Sequence, residues 1–277
     1  MTGTRASVVR HPALLAQHVT RNKLTPNEMD TWKPLTFWLV LLAFSAKSFG
    51  EGGPPLIGDD PGTPGNGRWE INLSYPYLQT DRTTTMDVPY IDANYGLGDH
   101  VELSYLGGLL IGKERGQSWQ SGYDASLLGV KWRFLDEEKS HVDASIYPQL
   151  GFNTTSAFAK AGLVESGTSF FLPLEIAKTY GKVELDAEVG YQFYQHDRGQ
   201  WAGGPIIGYQ LTDKIELLAE ARLVCDQSFR SNDLILDAGT RIGLIEHVQF
   251  LFAAGRGVRN GEDSPHLYLY AGLGFTF

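Results

Sequence analysis

Glu184, Asp186 and Glu188 stand at alternate positions, as do Glu220 and Arg222, with Glu216 on the same alternation. Lys131 and Arg133 repeat the spacing with the opposite sign, and Asp237 and Arg241 combine both signs. Alternate residues of a strand share a face, so this spacing gathers each set on one side of its segment. Glu70, Asp92, Glu102, Asp124, Asp143 and Glu175 extend the charged face along other segments. Carboxylates and cations so gathered do one of two things. They pair and brace an interior, or they line a narrow passage with a mild preference for cations. Tyr90, Tyr147, Phe171, Tyr194, Tyr268 and Tyr270 fall on the same side and offer contact surface to small, aromatic or poorly water-soluble compounds.

Other chemistry is poorly provided for. A nucleophilic site needs Ser, His and an orienting polar group together near one rim. His100, His141 and His247 sit at short turns, and His196 and His266 flank longer loops. Ser145 lies four residues from His141 but shares the inward face of Asp143. No triad spacing emerges, so the chain does not read as an enzyme. Asp59 and Asp60 invite a calcium reading, yet the oxygen count and spacing are missing, and Asp60-Pro61 suits a turn start. Neither a metal nor a cofactor is expected. The single Cys225 excludes an internal disulfide.

The charged faces belong to strands with an apolar face opposite. In 182–195 Val183, Leu185, Ala187, Val189, Tyr191 and Phe193 alternate with the acids; in 214–225 Ile215, Leu217, Ala219, Ala221 and Leu223 do so. The last twelve residues, 266–277, repeat the pattern and stop on an aromatic. Such dyads recur about twelve times from Arg68 onward. Tight turns at 96–99, 135–140, 180–181, 212–213 and 245–246 alternate with longer polar segments at 80–83, 112–122, 154–168, 196–200, 226–232 and 257–265. The hairpin is the repeating unit. An open sheet of that width would leave two unpaired edges, and closure removes both. Water does not tolerate so large an apolar face outside, and the chain holds nothing to fill it inside, which leaves lipid. The expected fold is all-β: a transmembrane antiparallel β-barrel of about 12 strands, an up-and-down meander with both termini periplasmic. The segment 266–277 must then pair with 68–79.

Composition agrees. Of 277 residues, 12% are aromatic and 32 are glycine, both suited to closely packed strands with aromatic girdles. A mean hydropathy of -0.20 excludes a bundle of membrane helices. The formal charge of -9 argues against nucleic acid as a partner. One apolar run, 35–46, follows Lys33 and ends in small residues, which describes a signal peptide over 29–50, with Met29 as its start. Residues 1–28 then form an extension without a role in the fold. The leader 51–67 is too rich in Pro and Gly to propagate a helix or strand, and it is expected to thread into the short-turn mouth or across it. The barrel occupies 68–277.

The leader run from Pro55 to Asn72, with Asp59, Asp60 and Pro61 at its centre, and the Tyr95-Gly-Leu-Gly-Asp turn carry a resemblance. They are similar to the outer-membrane putative transporter family of the phenol-degradation meta-pathway (MetA-type) kind. Gly58 stands where that family has Thr before Asp-Asp-Pro. The resemblance implies an outer-membrane barrel of a Gram-negative bacterium with a transport role, and implies that Phe275 and Phe277 are read by the outer-membrane assembly machinery. It supplies no substrate. The expected function is passive diffusion of small, aromatic or hydrophobic, solutes. The alternative is a structural or adhesive barrel whose charge network closes the lumen. Lipid, the assembly machinery and a small-molecule solute are the expected partners.

Overall fold

The computed structural model describes residues 53–153, 163, 167–229, 232–259 and 264–277. The extension 1–28 and the signal peptide 29–50 lie outside the described residues, as does most of the loop 154–168.

Strand segments run in chain order as β1 (Trp69–Ser74), β2 (Tyr77–Gln79), β3 (Thr83–Gly96), β4 (Val101–Glu114), β5 (Gln120–Tyr123) and β6 (Ser126–Leu135). After one helical turn, α1 (Glu137–Ser140), come β7 (Asp143–Ile146), β8 (Gln149–Phe152), β9 (Thr168–Tyr180) and β10 (Val183–Tyr194). The rest are β11 (Gln200–Thr212), β12 (Ile215–Asp226), β13 (Asn232–Ile245), β14 (Val248–Gly257) and β15 (Leu267–Thr276). Three strands are each interrupted once, between β1 and β2, β5 and β6, and β7 and β8, so the fifteen segments build twelve strands. Pro76 and Pro148 sit in two of the breaks, and a proline has no N–H for the ladder.

Every pairing is antiparallel, and β15 joins both β1 and β2. Ile71 lies opposite Phe275, and Gln79 opposite Leu267, so the ring closes along the expected seam. Phe277 reinforces it: its N–H donates to the Trp69 carbonyl at 2.9 Å and its carbonyl accepts from Trp69 at 3.2 Å. The 135–140 connection is longer than a tight turn. It holds α1, which ends on His141 in the left-handed region at φ 66°.

The two strand faces differ as lipid and lumen require. Leu103, Trp132 and Val189 point outward at 42%, 55% and 53% exposure, whereas Glu175 and Arg222 face inward at 0%. A soluble barrel would reverse that arrangement. Outward rings cluster as well, with Tyr191 edge-on to Trp201 at 4.9 Å between centroids. Both ends of the strand meander, Trp69 and Thr276, lie at the short-turn end, which is the periplasmic end in barrels of this kind.

Candidate functional site: the lumen and its leader

The leader enters the barrel instead of crossing its mouth. Its tip is a tight turn in which Gly53 N–H donates to the Gly58 carbonyl at 2.8 Å and Leu56 N–H to the Gly53 carbonyl at 3.0 Å. Gly53 makes this possible at φ 75°. Leu56 and Ile57, at the tip, are buried among Leu78, Ile206, Leu218, Ile235, Leu251, Tyr268 and Tyr270 of the wall. Burial of the two side chains contributes roughly 1.5–3 kcal/mol each.

Polar contacts fix the turn in register with the wall. Ile57 and Gly58 N–H groups both donate to Glu220 Oε2, at 2.9 and 3.0 Å. A Cβ on Gly58 would come within 2.9 Å of both Glu220 Oε1 and Ile206 Cδ1, so glycine lets the turn lie close to β11 and β12. Arg222 holds Glu220 at 3.2 Å and Glu188 at 2.8 Å, and Glu188 in turn accepts from Asp59 N–H at 3.3 Å. Arg241 Nε donates to the Pro54 carbonyl at 2.9 Å while its NH1 pairs with Glu216 at 3.0 Å. Lys131 Nζ reaches Asp59 Oδ1 at 3.0 Å and the Asp60 carbonyl at 2.6 Å. An ammonium buried without such acceptors would be costly, and the leader supplies them. Gly62 N–H donates to the Asp60 carboxylate. Burial pushes the Asp60 carboxyl up to about 6, with the Lys131 charge opposing the shift.

The leader leaves along the short-turn rim. Thr63 Oγ1 donates to the Asp99 carbonyl at 2.9 Å, and Gly67 N–H to the Gly96 carbonyl at 2.9 Å. A Cβ at Gly96 would fall on the Gly65 carbonyl, so the two backbones meet there because Gly96 has no side chain, while Gly65 takes the left-handed conformation at φ 85°.

One side of the lumen stays open. A cavity of about 140 Å³ lies between the leader and the wall made by β1, β3, β4, β6, β8, β9 and β10, with Glu70, Asp92, Glu102, Lys131, Tyr147, Gln149, Phe171 and Glu188 among its lining residues.

The expected lumen residues divide into groups. Glu102, Lys131, Glu175, Glu184, Asp186, Glu188, Glu216, Glu220, Arg222 and Asp237 are buried and inward, and Asp124 is buried beside the break before β6. Arg133 and Asp143 sit apart at the short-turn rim. Arg133 NH2 donates to the Asp99 carbonyl at 2.9 Å, and Asp143 accepts from Glu137 N–H at 2.8 Å, anchoring α1. Tyr194 belongs to the opposite rim, where its hydroxyl accepts from Gln200 at 3.1 Å. The aromatic set does not act together. Tyr147 and Phe171 line the cavity, Tyr268 and Tyr270 pack against the leader tip, and Tyr90 is buried with Leu106 and Leu127. Ser145 donates to Glu175 inside the lumen, whereas His141 is exposed at the rim. Phe275 and Phe277 point outward beside the seam, Phe277 at 67% exposure. Asp59 is held by Lys131, and Pro61 is buried behind it.

The inward leucines and isoleucines were not anticipated. Leu106 and Leu110 continue the alternation begun by Glu102 and Ser104, and Leu218 and Val224 continue that of Glu216, Glu220 and Arg222. The signal was present in the spacing. What spacing does not supply is the reason for apolar side chains on the inward face, which is their contact with the leader tip and with one another.

No protein-family model matches the chain, and no curated protein matches its sequence. Solved structures do match the barrel. It is similar to the NanC porin with a TM-score of 0.53 and 10% identity, over 74% of this chain and 98% of that one. The KdgM porin aligns with a TM-score of 0.48 and 10% identity over 74% and 99%. The translocator domain of the autotransporter NalP from Neisseria meningitidis aligns with 0.49 and 12% over 77% and 89%. At that identity the likeness concerns architecture: a closed antiparallel barrel of the outer-membrane type. The meta-pathway resemblance therefore reaches only as far as an outer-membrane barrel.

Proposed function

We propose that this protein is a channel for passive diffusion of small solutes across the outer membrane of a Gram-negative bacterium, narrowed by its own leader. The carrying observation is the cavity of about 140 Å³ left beside a leader that is seated by exchangeable polar contacts and one small apolar tip. Within the leader 51–67, residues 53–62 act in this reading as a removable filling for the barrel 68–277. The acidic excess along the cavity favours cationic over anionic solutes. Tyr147 and Phe171 support passage of compounds with an aromatic or hydrophobic body.

A structural barrel is the second reading. Arg222 bridging Glu188 and Glu220 at 0% exposure favours it, because such a pairing braces the wall without any need for flow. Single-channel recording in planar bilayers separates the two. The full chain should conduct weakly, and a variant lacking 53–64 should conduct several-fold more. Silence from both, with correctly folded barrels, would rule out the channel and leave the structural reading.

A further inference from the structure

Six carboxylates line the cavity beside the leader, Asp59, Asp60, Glu70, Asp92, Glu102 and Glu188, against Lys131 as the one cation among its described lining residues. Half of them are accounted for. Glu188 pairs with Arg222 at 2.8 Å, Lys131 holds Asp59, and Gly62 N–H donates to Asp60. An ammonium has three donors, and Lys131 gives two of them to the leader while lying 3.9 Å from Glu175.

The other three make no close ion pair among the described residues; Lys131 stands opposite Glu102 in the β4–β6 register, and Arg241 acts on Glu70 only at longer range. Glu70 accepts from the Asn72 amide at 3.1 Å, and Asp92 accepts from Asn94 at 2.9 Å and Asn72 at 3.4 Å. Glu102 is 5% exposed, and its carboxylate makes no hydrogen bond among the described residues. A second feature of the same wall is independent of this acidity. Gln149 is 3% exposed, lines the cavity, and its Oε1 is buried without a donor. An orphaned acceptor carries a desolvation cost of about 1–3 kcal/mol that a ligand N–H would relieve. Leu106, Tyr147 and Phe171 supply the apolar and aromatic part of the wall. A cavity of about 150 Å³ accommodates a benzene ring, close to the volume here.

We infer that this cavity is a binding site for a small organic cation: an ammonium facing Glu102 and Gln149, carried on a single ring or hydrocarbon body of similar size lying against Leu106, Tyr147 and Phe171. The inference deepens the channel reading and rests on it, because it names the class of solute the lumen would hold. Charge complementarity selects the cation, and the apolar wall selects an organic ion over a hydrated inorganic one. The Phe171 ring adds to this preference for positive charge, whereas the Tyr147 ring already has Lys131 Nζ 4.8 Å from its centroid and serves as contact surface.

Calorimetric titration of the full-length barrel in zwitterionic detergent near neutral pH tests the site, with benzylammonium as the probe. Benzyl alcohol, benzoate and ammonium ion are the comparators for charge, sign and body. Saturable binding of one benzylammonium per barrel is expected, at least about tenfold tighter than benzyl alcohol or ammonium ion, with no binding of benzoate. Glu102→Gln should weaken it by about tenfold and Gln149→Leu several-fold, whereas Glu114→Gln at the far rim should leave it unchanged. Heat-modifiable gel migration reports folding of each variant, and Gln149→Leu carries the test if Glu102→Gln does not fold. Equal affinity for benzyl alcohol or for ammonium ion overturns the proposal, as does parental affinity in the folded site variants. Liposome flux of a small neutral sugar through the leader-deleted barrel keeps the two readings apart. Flux without binding by the full chain removes the site and keeps the channel, and binding without flux does the opposite.

Discussion

Arg222 sits where three demands meet: it neutralises Glu188, neutralises Glu220, and thereby keeps the second oxygen of each free for the leader's N–H groups. Removing one partner of a buried ion pair leaves uncompensated charge, at a cost of about 3–5 kcal/mol. Arg222→Met should therefore lower the denaturant midpoint of the refolded barrel by an amount of that order. Adding Glu188→Gln and Glu220→Gln should restore much of it. An unchanged midpoint in the single variant would show that the pair carries no structural role.

Asp60 makes the seated leader sensitive to pH. Its folded value of about 6 lies above the ordinary 3.8, so its contribution is fully present below about pH 4 and is lost as pH rises through about 6. Conductance of the full chain is expected to rise between those limits, and Asp60→Asn should flatten the dependence. A profile that is the same in both proteins would assign the pH response to another group.

At the scale of elements, the leader and the β3–β4 turn depend on each other through Gly65 and Gly96. A side chain at Gly96 would occupy the space of the Gly65 carbonyl. Gly96→Val should push the exit limb off the rim and raise conductance towards that of the 53–64 deletion, with strand content by circular dichroism unchanged. Conductance equal to the parent would mean that the tip contacts alone retain the leader. The strands themselves need no leader to pair, since each is bonded to two neighbours around the ring. The leader is thus a separate layer of structure, held by its polar contacts with the wall and rim and by two apolar side chains.

For the molecule as a whole, the seam between β15 and β1 is the step on which closure depends. Phe277 makes two backbone hydrogen bonds to Trp69 across it while presenting its ring outward. Deleting Phe277 should lower the amount of assembled barrel recovered from outer membranes, as measured by heat-modifiable migration. It should leave in vitro refolding nearly intact if the residue acts chiefly as an assembly signal. Equal losses in both settings would assign it to the seam alone.

Strand number, seam, and the inward sense of the charged alternation were legible in the sequence, because a period of two ties each residue's face to its parity and lipid tolerates charge on only one face. Glu184, Asp186 and Glu188 could be assigned inward from spacing alone. Their partners could not. That Glu188 meets Arg222 depends on a contact between residues 34 apart, and which leader N–H groups meet Glu188 and Glu220 depends on contacts 129 and 163 residues apart, for which local periodicity holds no signal. The leader shows the same division. Its prolines and glycines excluded regular structure, but only the closed ring, with its inward leucines and carboxylates, decided that residues 53–62 lie inside the barrel and which side of the lumen they leave open.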